Sequence, residues 1–245
     1  MVSTNSVPGG RSKATSSGTR PSCQTRFRLS DKALAAGAQW HGRRECDRRR
    51  VGALVASSAM AGLTRVCVFC GSSPGTDEAF TAAAIELGTL LAQRGIGLVY
   101  GGAHVGLMGS VADAALRAGG EVLGVIPESL VDREIAHEGV SELVVVADMH
   151  ERKKAMYEVS DGFVALPGGY GTFEEVFEVT TWNQLGLHRD GRRKPLALLE
   201  VHGFWGPLAA FLDAAVAAGF VKPANRPLIG LATSPAEAIE VLSAG

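Results

Sequence analysis

The stretch Phe163–Glu175 (FVALPGGYGTFEE) carries the clearest structural pattern in this chain of 245 residues. An apolar run of strand length ends at Pro167, and three of the next four residues are glycine. Apolar residues then recur at helical spacing from Phe173 onward. This order of residue types predicts a strand, a tight turn and a helix.

The predicted helix spans residues 172–185 and places the carboxylates of Glu174 and Glu175 in its first turn. Glycines let the main chain approach a ligand closely, and the N–H groups at a helix start favour an anion, most naturally a phosphate. A carboxylate beside such a phosphate cradle indicates chemistry on a phosphorylated small molecule. Glycine-rich turns also occur in α/β domains simply to reverse the chain, so the turn alone does not decide the function.

From Arg65 onward, short strands rich in Val, Leu and Ile alternate with helices, and glycine turns at Gly71 and Gly101 follow strands as Gly168 does. The alternation predicts a single-domain Rossmann-like α/β fold, a parallel sheet with helices on both faces. Ligands of such sheets bind beyond the carboxyl ends of the strands, where the strand order reverses. We therefore expect the three glycine turns to converge on one edge of the sheet.

Charge divides the chain into two parts. Residues 1–60 carry eleven Lys/Arg and three Asp/Glu, whereas residues 61–245 carry thirteen and twenty-two, which gives net charges near +8 and −9. The first part is rich in Ser, Arg and Gly and lacks hydrophobic periodicity, which predicts a disordered leader at residues 1–60 before a folded domain at residues 61–245. The leader is either a transit-like segment or lies upstream of a translation start at Met60, and we favour the later start.

The composition excludes two classes of partner for the body of the chain. Its acidic balance argues against a nucleic-acid-binding surface. No apolar run reaches the roughly 18 residues of a membrane helix, so we expect no membrane partner. The basic leader, with Arg48–Arg50, leaves open a second role in binding nucleic acid or membrane, although a solvated charge run is the simpler interpretation.

Cysteine spacing gives no metal site and no disulfide framework. Cys67 and Cys70 have C-x-x-C spacing, but Cys67 lies inside an apolar strand, and Cys23 and Cys46 do not form a second ligand pair. We predict that Cys67 and Cys70 are buried structural thiols. Reduced thiols fit a cytoplasmic protein, and the scattered histidines show no metal-ligand spacing.

A second polar concentration, Asp148–Lys154 (DMHERKK), lies where a strand gives way to a helix predicted over residues 149–160. Arg152 and Lys153 then fall in the first two turns, where basic groups oppose the helix dipole. A solvated helix end is one interpretation. The other is that the planar guanidinium of Arg152 binds a phosphate or carboxylate at the rim where the glycine turns meet.

Two classes of cofactor enzyme fit the residues poorly. The run Gly101–Gly109 departs from the dinucleotide fingerprint in its spacing, and no acidic residue follows at the end of the next strand. A pyridoxal-dependent decarboxylase needs a lysine in a pocket, whereas Lys194 and Lys222 lie in polar connecting segments. We therefore expect no cofactor.

Together, residues 167–175 (PGGYGTFEE), residues 149–153 (MHERK) and the turns at residues 69–73 and 100–102 resemble the LONELY GUY family. These enzymes are cytokinin riboside 5′-monophosphate phosphoribohydrolases, often mislabelled lysine decarboxylases, and the resemblance runs from about Arg65 to Leu242. It implies a Rossmann-like homodimer that takes a small-molecule nucleotide monophosphate, either AMP or N6-prenyl AMP. The enzyme would hydrolyse the N-glycosidic bond and release the free base and ribose 5-phosphate.

The resemblance also implies roles for individual residues. Arg152 and Glu175 would be catalytic, and the carboxylate would stabilise the positive charge that develops on the ribose while it orients or deprotonates water. The implied substrate-binding residues are Glu134, Arg152, Lys153, Gly169, Tyr170, Gly171, Thr172, Phe173, Glu174, Glu175 and Thr181, with Ser72, Gly101 and Gly102 as candidate phosphate or ribose contacts. The alternative is a non-catalytic nucleotide or cofactor carrier of the same fold, because a fold does not by itself make an enzyme.

Overall fold

The structure is a computed structural model that describes residues 62–131 and 136–244. Within these residues, seven strands form one sheet whose neighbouring strands are all parallel, in the order β4-β3-β2-β1-β5-β6-β7. The strands are β1 (Arg65–Phe69), β2 (Gly97–Tyr100), β3 (Val122–Pro127), β4 (Glu142–Val146), β5 (Gly162–Ala165), β6 (Leu196–Leu199) and β7 (Gly230–Ala232). The predicted parallel sheet is confirmed. The leader predicted at residues 1–60 lies outside the described residues.

Helices cover both faces of the sheet, as predicted. They are α1 (Glu78–Gln93), α2 (Gly106–Arg117), α3 (Glu128–Val131), α4 (Met149–Val159), α5 (Tyr170–Leu185), α6 (Gly206–Ala217) and α7 (Pro235–Ala244), with a 3-10 helix at Pro223–Leu228. Among the helices of the described ranges, none has the length and apolar character of a membrane span.

Side-chain alternation along the strands builds two cores. Val66 and Val68 of β1 pack into the core under α1, α2 and α7, whereas Cys67 and Phe69 pack into the core under α4, α5 and α6. Cys67 and Cys70 are both buried and free, which confirms the prediction of structural thiols.

The sheet reverses its order between β1 and β5. From β1 the chain moves outward through β2, β3 and β4, and it then returns to place β5 on the other side of β1. The pairing continues past the strand ends, because the N–H of Leu166 donates to the carbonyl of Phe69 (2.9 Å) and the N–H of Gly71 donates to that of Pro167 (3.1 Å). The turns after β1 and β5 are therefore held side by side at the switch point, where α/β sheets bind ligands.

Helix α5 begins at Tyr170, two residues before the predicted start. The first turn of this fully described helix contains no acidic residue, so the prediction that Glu174 and Glu175 lie in the first turn is wrong. Glycine is unfavourable inside helices, so the sequence pattern predicts a start after Gly171. In the structure, the hydrogen bond from the Phe173 N–H to the Gly169 carbonyl (3.0 Å) closes the first turn of the helix, and Gly171 lies within that turn.

One histidine is buried in the core beside α5. The ring of His188 lies 6.1 Å from that of Phe163 and 5.7 Å from that of Trp182, measured between centroids. Its Nε2 atom is buried and has no hydrogen-bond partner among the described residues. Burial disfavours the charged imidazolium and is the main reason why the pKa of His188 falls from 6.5 to about 4. The positive charge of Lys194 contributes to this decrease.

We predict that His188 makes the fold sensitive to acid. The unfolded chain binds a proton near pH 6.5 and the folded chain only near pH 4, so stability is lost as the pH falls between these values, by up to about 3 kcal/mol. The substitution His188→Phe keeps an aromatic ring and removes the titration. Urea unfolding at pH 7 and pH 4.5 should show a smaller acid loss in the variant, and an equal loss in both proteins would contradict the prediction.

Candidate active site

The three glycine turns meet at the switch point, as the sequence predicts. In addition to its bond to Pro167, Gly71 accepts a hydrogen bond from the N–H of Leu107 (3.0 Å) in the first turn of α2. A Cβ atom added to Gly106 would lie 2.3 Å from the carbonyl carbon of Ser72. The turns that follow β1, β2 and β5 are thus in direct contact at one edge of the sheet.

At the start of α5, no main-chain carbonyl of the described residues accepts a hydrogen bond from the N–H groups of residues 170–172. The first N–H groups of an α-helix lack intrahelical partners, and the N-cap residue Gly169 has no side chain to satisfy them. Tyr170, the first residue of the helix, is 93% exposed. These donors, together with the positive end of the helix dipole, make the start of α5 suitable for an anion.

The glycines of this turn serve two different purposes. A Cβ atom on Gly168 would lie 2.1 Å from the hydroxyl of Thr172 and 2.9 Å from the nitrogen of Gly71, so the protein itself requires glycine there. At Gly169 and Gly171, an added Cβ would have no atom of the described residues within 4 Å apart from the adjacent residues and the backbone of the same helix, and neither residue has a positive φ. The fold itself therefore does not require glycine at these two positions, and glycine there leaves the main chain accessible to a ligand.

Arg152 extends from the first turn of α4 across the ends of two strands. Its Nε donates to the carbonyl of Val125 (3.2 Å), and its Nη2 donates to that of Gly101 (3.2 Å). The residue is only 8% exposed, and a Cβ on Gly101 would lie 2.0 Å from Nη2. These carbonyls hold a cation at a helix start, where the dipole alone disfavours it.

Glu175 lies in the second turn of α5 and is 9% exposed. Within the described part of the chain, no residue donates a hydrogen bond to its carboxylate. Burial raises the pKa of Glu175 to about 7, and the positive charge of Arg152 opposes this rise. The carboxylate is therefore ionised at slightly alkaline pH and able to accept a proton near neutrality.

The two charges act on the same part of the sheet. Burial raises the pKa of the Cys70 thiol at the end of β1, the charge of Glu175 raises it further, and that of Arg152 lowers it. The buried thiol of Cys67 responds to both charges in the same directions. Arg152 from α4 and Glu175 from α5 thus lie around the carboxyl end of the central strand, beside the glycine turns.

Lys153 and Glu174, the sequence neighbours of these two residues, are bound to each other. The ammonium group of Lys153 donates to Glu174 and pairs with Glu178 at 2.9 Å. Burial alone would lower the pKa of Lys153, but the two carboxylates outweigh burial and raise it. The hydroxyl of Tyr157 also donates to Glu178 (2.7 Å).

The sequence did not single out Glu178 and Tyr157. Glu178 follows Glu174 by four residues, and Tyr157 follows Lys153 by four, which places each pair on one side of its helix. That spacing is the only signal in the sequence that could have suggested their participation.

The remaining predicted residues have varied surroundings. Thr172 is buried against Gly168, and Phe173 stacks on Phe204 at 6.3 Å between ring centroids. Ser72 is exposed at the edge of the turn after β1, and Glu134 lies outside the described residues.

Three of the predicted contacts, Gly101, Gly102 and Thr181, already make hydrogen bonds within the protein. The carbonyls of Gly101 and Gly102 accept bonds from Arg152 and from the N–H of His137 (2.9 Å). Thr181 is exposed, donates to the Phe177 carbonyl (2.8 Å) and lies about 120° around the helix from Glu175. The structure therefore does not bring Thr181 beside Glu175 within one chain.

The sequence predicts that Lys194 lies in a polar connecting segment. In the structure its side chain is buried. Its ammonium group donates to the carbonyls of Tyr157 (2.8 Å) and Glu158 (3.4 Å), and its main chain is paired with the side-chain amide of Asn183. Lys194 precedes β6 and so lies at the opposite edge of the sheet from the glycine turns.

Within residues 62–131 and 136–244, no group of three or more His, Cys, Asp or Glu side chains could hold a metal ion.

Comparison with known proteins identifies the family of the chain and supports the fold. A family model described as "Possible lysine decarboxylase" matches residues 108–242. A probable cytokinin riboside 5′-monophosphate phosphoribohydrolase of Oryza sativa subsp. japonica is 52% identical over 188 residues, which cover 77% of this chain and 75% of that protein. A cytokinin riboside 5′-monophosphate phosphoribohydrolase of Arabidopsis thaliana is 51% identical over 178 residues, which cover 73% and 82%.

Solved structures share the architecture at lower identity. The molybdenum cofactor binding protein from Rippkaea orientalis has a TM-score of 0.57 and 24% identity, with 76% of this chain and 98% of that chain covered. The molybdenum cofactor carrier protein from Chlamydomonas reinhardtii has a TM-score of 0.56 and 24% identity, with 75% and 99% covered. At this identity the similarity shows the fold alone.

We predict that substitutions at two neighbouring glycines separate folding from ligand binding. Gly168→Ala should destabilise the protein by roughly 1–3 kcal/mol, because its Cβ would overlap Thr172 and Gly71. Gly171→Ala should fold normally but bind AMP more weakly, because its Cβ occupies the open space beside the main-chain donors. Thermal unfolding and calorimetric titration with AMP measure the two effects. Wild-type AMP affinity in Gly171→Ala would show that no ligand approaches this turn.

Proposed function

The chain belongs to the LONELY GUY family of cytokinin riboside 5′-monophosphate phosphoribohydrolases, and we propose that it hydrolyses the N-glycosidic bond of AMP or N6-prenyl AMP. The products are the free base, a cytokinin when the prenyl group is present, and ribose 5-phosphate. The observation that carries the proposal is a buried guanidinium and a buried carboxylate from separate helices, Arg152 and Glu175, beside an uncapped helix start.

The start of α5 suits the 5′-phosphate of the substrate. The N–H groups of residues 170–172 are the free donors of the first turn, and the space beside Gly169 and Gly171 admits a phosphate close to the main chain. In this pose the ribose lies one helical turn further along, toward Glu175 in the second turn. Lys153 and Glu174 are engaged with each other, so phosphate binding falls mainly to the main chain.

Cleavage of the C1′–N9 bond leaves its electron pair with the departing base and positive charge on the ribose ring. The carboxylate of Glu175 stabilises that charge and accepts a proton from the water whose oxygen attacks C1′. The departing base takes up one proton from solvent, and Glu175 then releases its proton to solvent, which restores the ionised carboxylate. A pKa of about 7 suits a base that works near neutral pH. Arg152 holds the nucleotide over the strand ends and favours the ionised form of Glu175.

The carrier alternative has less support. The relatives at about 50% identity bear the names of hydrolases, whereas the molybdenum cofactor proteins are 24% identical and share the fold alone. One fold hosts both activities, so the site residues have to distinguish them.

We further propose a homodimer that forms through the exposed face of α5. Tyr170, Phe177 and Leu185 follow one another at helical spacing and are 93%, 40% and 60% exposed. Thr181 lies on the same face, away from its own Glu175. Pairing of two α5 helices about a two-fold axis would bury the apolar side chains and offer Thr181 to the nucleotide bound by the second subunit.

We also propose a cellular location for the protein and limits for its catalytic domain. We place the protein in the cytoplasm, which the free thiols of Cys67 and Cys70 support, because reducing compartments keep thiols reduced. Residues 61–245 constitute the catalytic domain, and residues 1–60 form a leader that the reaction does not require.

We predict that Glu175→Gln lowers hydrolysis of AMP and of N6-isopentenyl AMP by about 10²-fold or more, because the amide can neither accept the proton nor offset the ribose charge. Chromatography of the released base measures turnover, and calorimetry should show nucleotide affinity within about threefold of wild type. Glu86→Gln, at an exposed position on α1, is the control and should be fully active. Equal losses of binding and turnover in Glu175→Gln would make the acid structural.

We predict that Phe177→Glu separates the dimer, because it places two carboxylates in the proposed apolar contact between α5 helices. Light scattering coupled to size-exclusion chromatography should give twice the chain mass for wild type and the chain mass for the variant. Phe220→Glu, at an exposed position beyond the end of α6, should remain dimeric. A monomeric wild-type protein would disprove this interface.

A further inference from the structure

A polar cluster joins α4 to α5 next to the catalytic pair. We call it the inter-helix cluster; it consists of Lys153, Tyr157, Glu174 and Glu178. Lys153 directly follows Arg152, and Glu174 directly precedes Glu175. The ammonium group of Lys153 reaches both carboxylates, and Tyr157 donates to Glu178.

The burial of the cluster argues for a role in positioning. Lys153 and Tyr157 are buried, and the side chain of Glu178 is only 27% exposed. An ammonium group out of water is unfavourable unless it is paired, and Lys153 has both of its carboxylate partners on α5. The cluster therefore fixes the position of one helix relative to the other, and with it the separation of Arg152 and Glu175.

We propose that Lys153 and Glu178 are positioning residues that hold Glu175 in place and set the balance of charge around it, and that Lys153 is not a ligand of the nucleotide. This inference rests on the proposed hydrolase function. It assigns Glu178 a part in the reaction that its sequence context does not reveal.

The charges around Glu175 come from three elements. Helix α4 contributes Arg152 and Lys153, which favour the ionised carboxylate, and α5 contributes Glu174 and Glu178, which disfavour it. The other titratable groups at this place are neutral near pH 7, because burial raises the pKa values of Tyr157 and of the β1 thiols of Cys67 and Cys70. Loss of the Lys153 charge should therefore raise the pKa of Glu175, and loss of the Glu178 charge should lower it.

The opposite shifts expected for the pKa of Glu175 distinguish this positioning role from two simpler roles. A purely structural link between α4 and α5 would make both substitutions lower stability without moving a titration. A lysine that binds the nucleotide phosphate would make its loss weaken AMP binding, again without moving a titration.

The test uses the full chain and its pH profile of kcat/KM for release of the base. Wild-type activity should fall as the pH drops through about 7, where Glu175 takes up a proton. In Lys153→Met the midpoint should move up by roughly 0.5–1 pH unit, and in Glu178→Gln it should move down by a similar amount. Lys154→Met, at an exposed position on the same helix, is the matched control and should leave the midpoint unchanged.

A second measurement needs no activity. The infrared band of a protonated carboxyl group, taken as the difference between each protein and its Glu175→Gln counterpart, reports the titration of Glu175 directly. If the wild-type protein releases no base at any pH, the proposed function fails while this titration still tests the inference. Midpoints that stay fixed or move in the same direction in Lys153→Met and Glu178→Gln would overturn the inference, as would a large loss of AMP affinity in Lys153→Met with no change in midpoint.

Discussion

The hydrogen bond from the Gly71 N–H to the Pro167 carbonyl is the contact on which the site depends. It extends the pairing of β1 with β5 beyond the strands and brings the first glycine turn against the third. The strand order reverses between these two strands, so both turns lie at the switch point where α/β sheets bind ligands. The start of α5, with Gly169 as its N-cap and Tyr170 exposed, lies at this switch point.

Buried charge is the second constraint. Arg152 and Glu175 are both largely withdrawn from water, which is unfavourable for each of them alone. The protein compensates the cation with carbonyl oxygens at the ends of β2 and β3. It leaves the carboxylate with no hydrogen bond from the described residues, so the proton affinity of Glu175 reflects burial and the charges around it. Arg152, held by carbonyl oxygens, and Glu175, which can exchange a proton near neutral pH, are therefore suited to different roles at one site.

The same architecture also occurs in a molybdenum cofactor binding protein and in a molybdenum cofactor carrier protein. A shared fold does not decide between binding and catalysis. A carrier has no need of a carboxylate whose pKa lies near neutrality. In the function proposed for this chain, the distinction lies in the side chains of α4 and α5, above all Arg152 and Glu175.

The sequence by itself determined the order of strands and helices and the positions of the three glycine turns, and it placed Arg152 and Glu175 among the candidate site residues. Periodicity, glycine and helix-start chemistry are local, so residues 149–153 and 163–175 reveal them without coordinates. The tertiary structure alone decided that Lys153 turns to Glu174 and Glu178 and that Gly101 makes room for the guanidinium of Arg152. Those outcomes depend on how α4 and α5 pack across the sheet. The partners are 21 or more residues apart in sequence, beyond the reach of any local pattern.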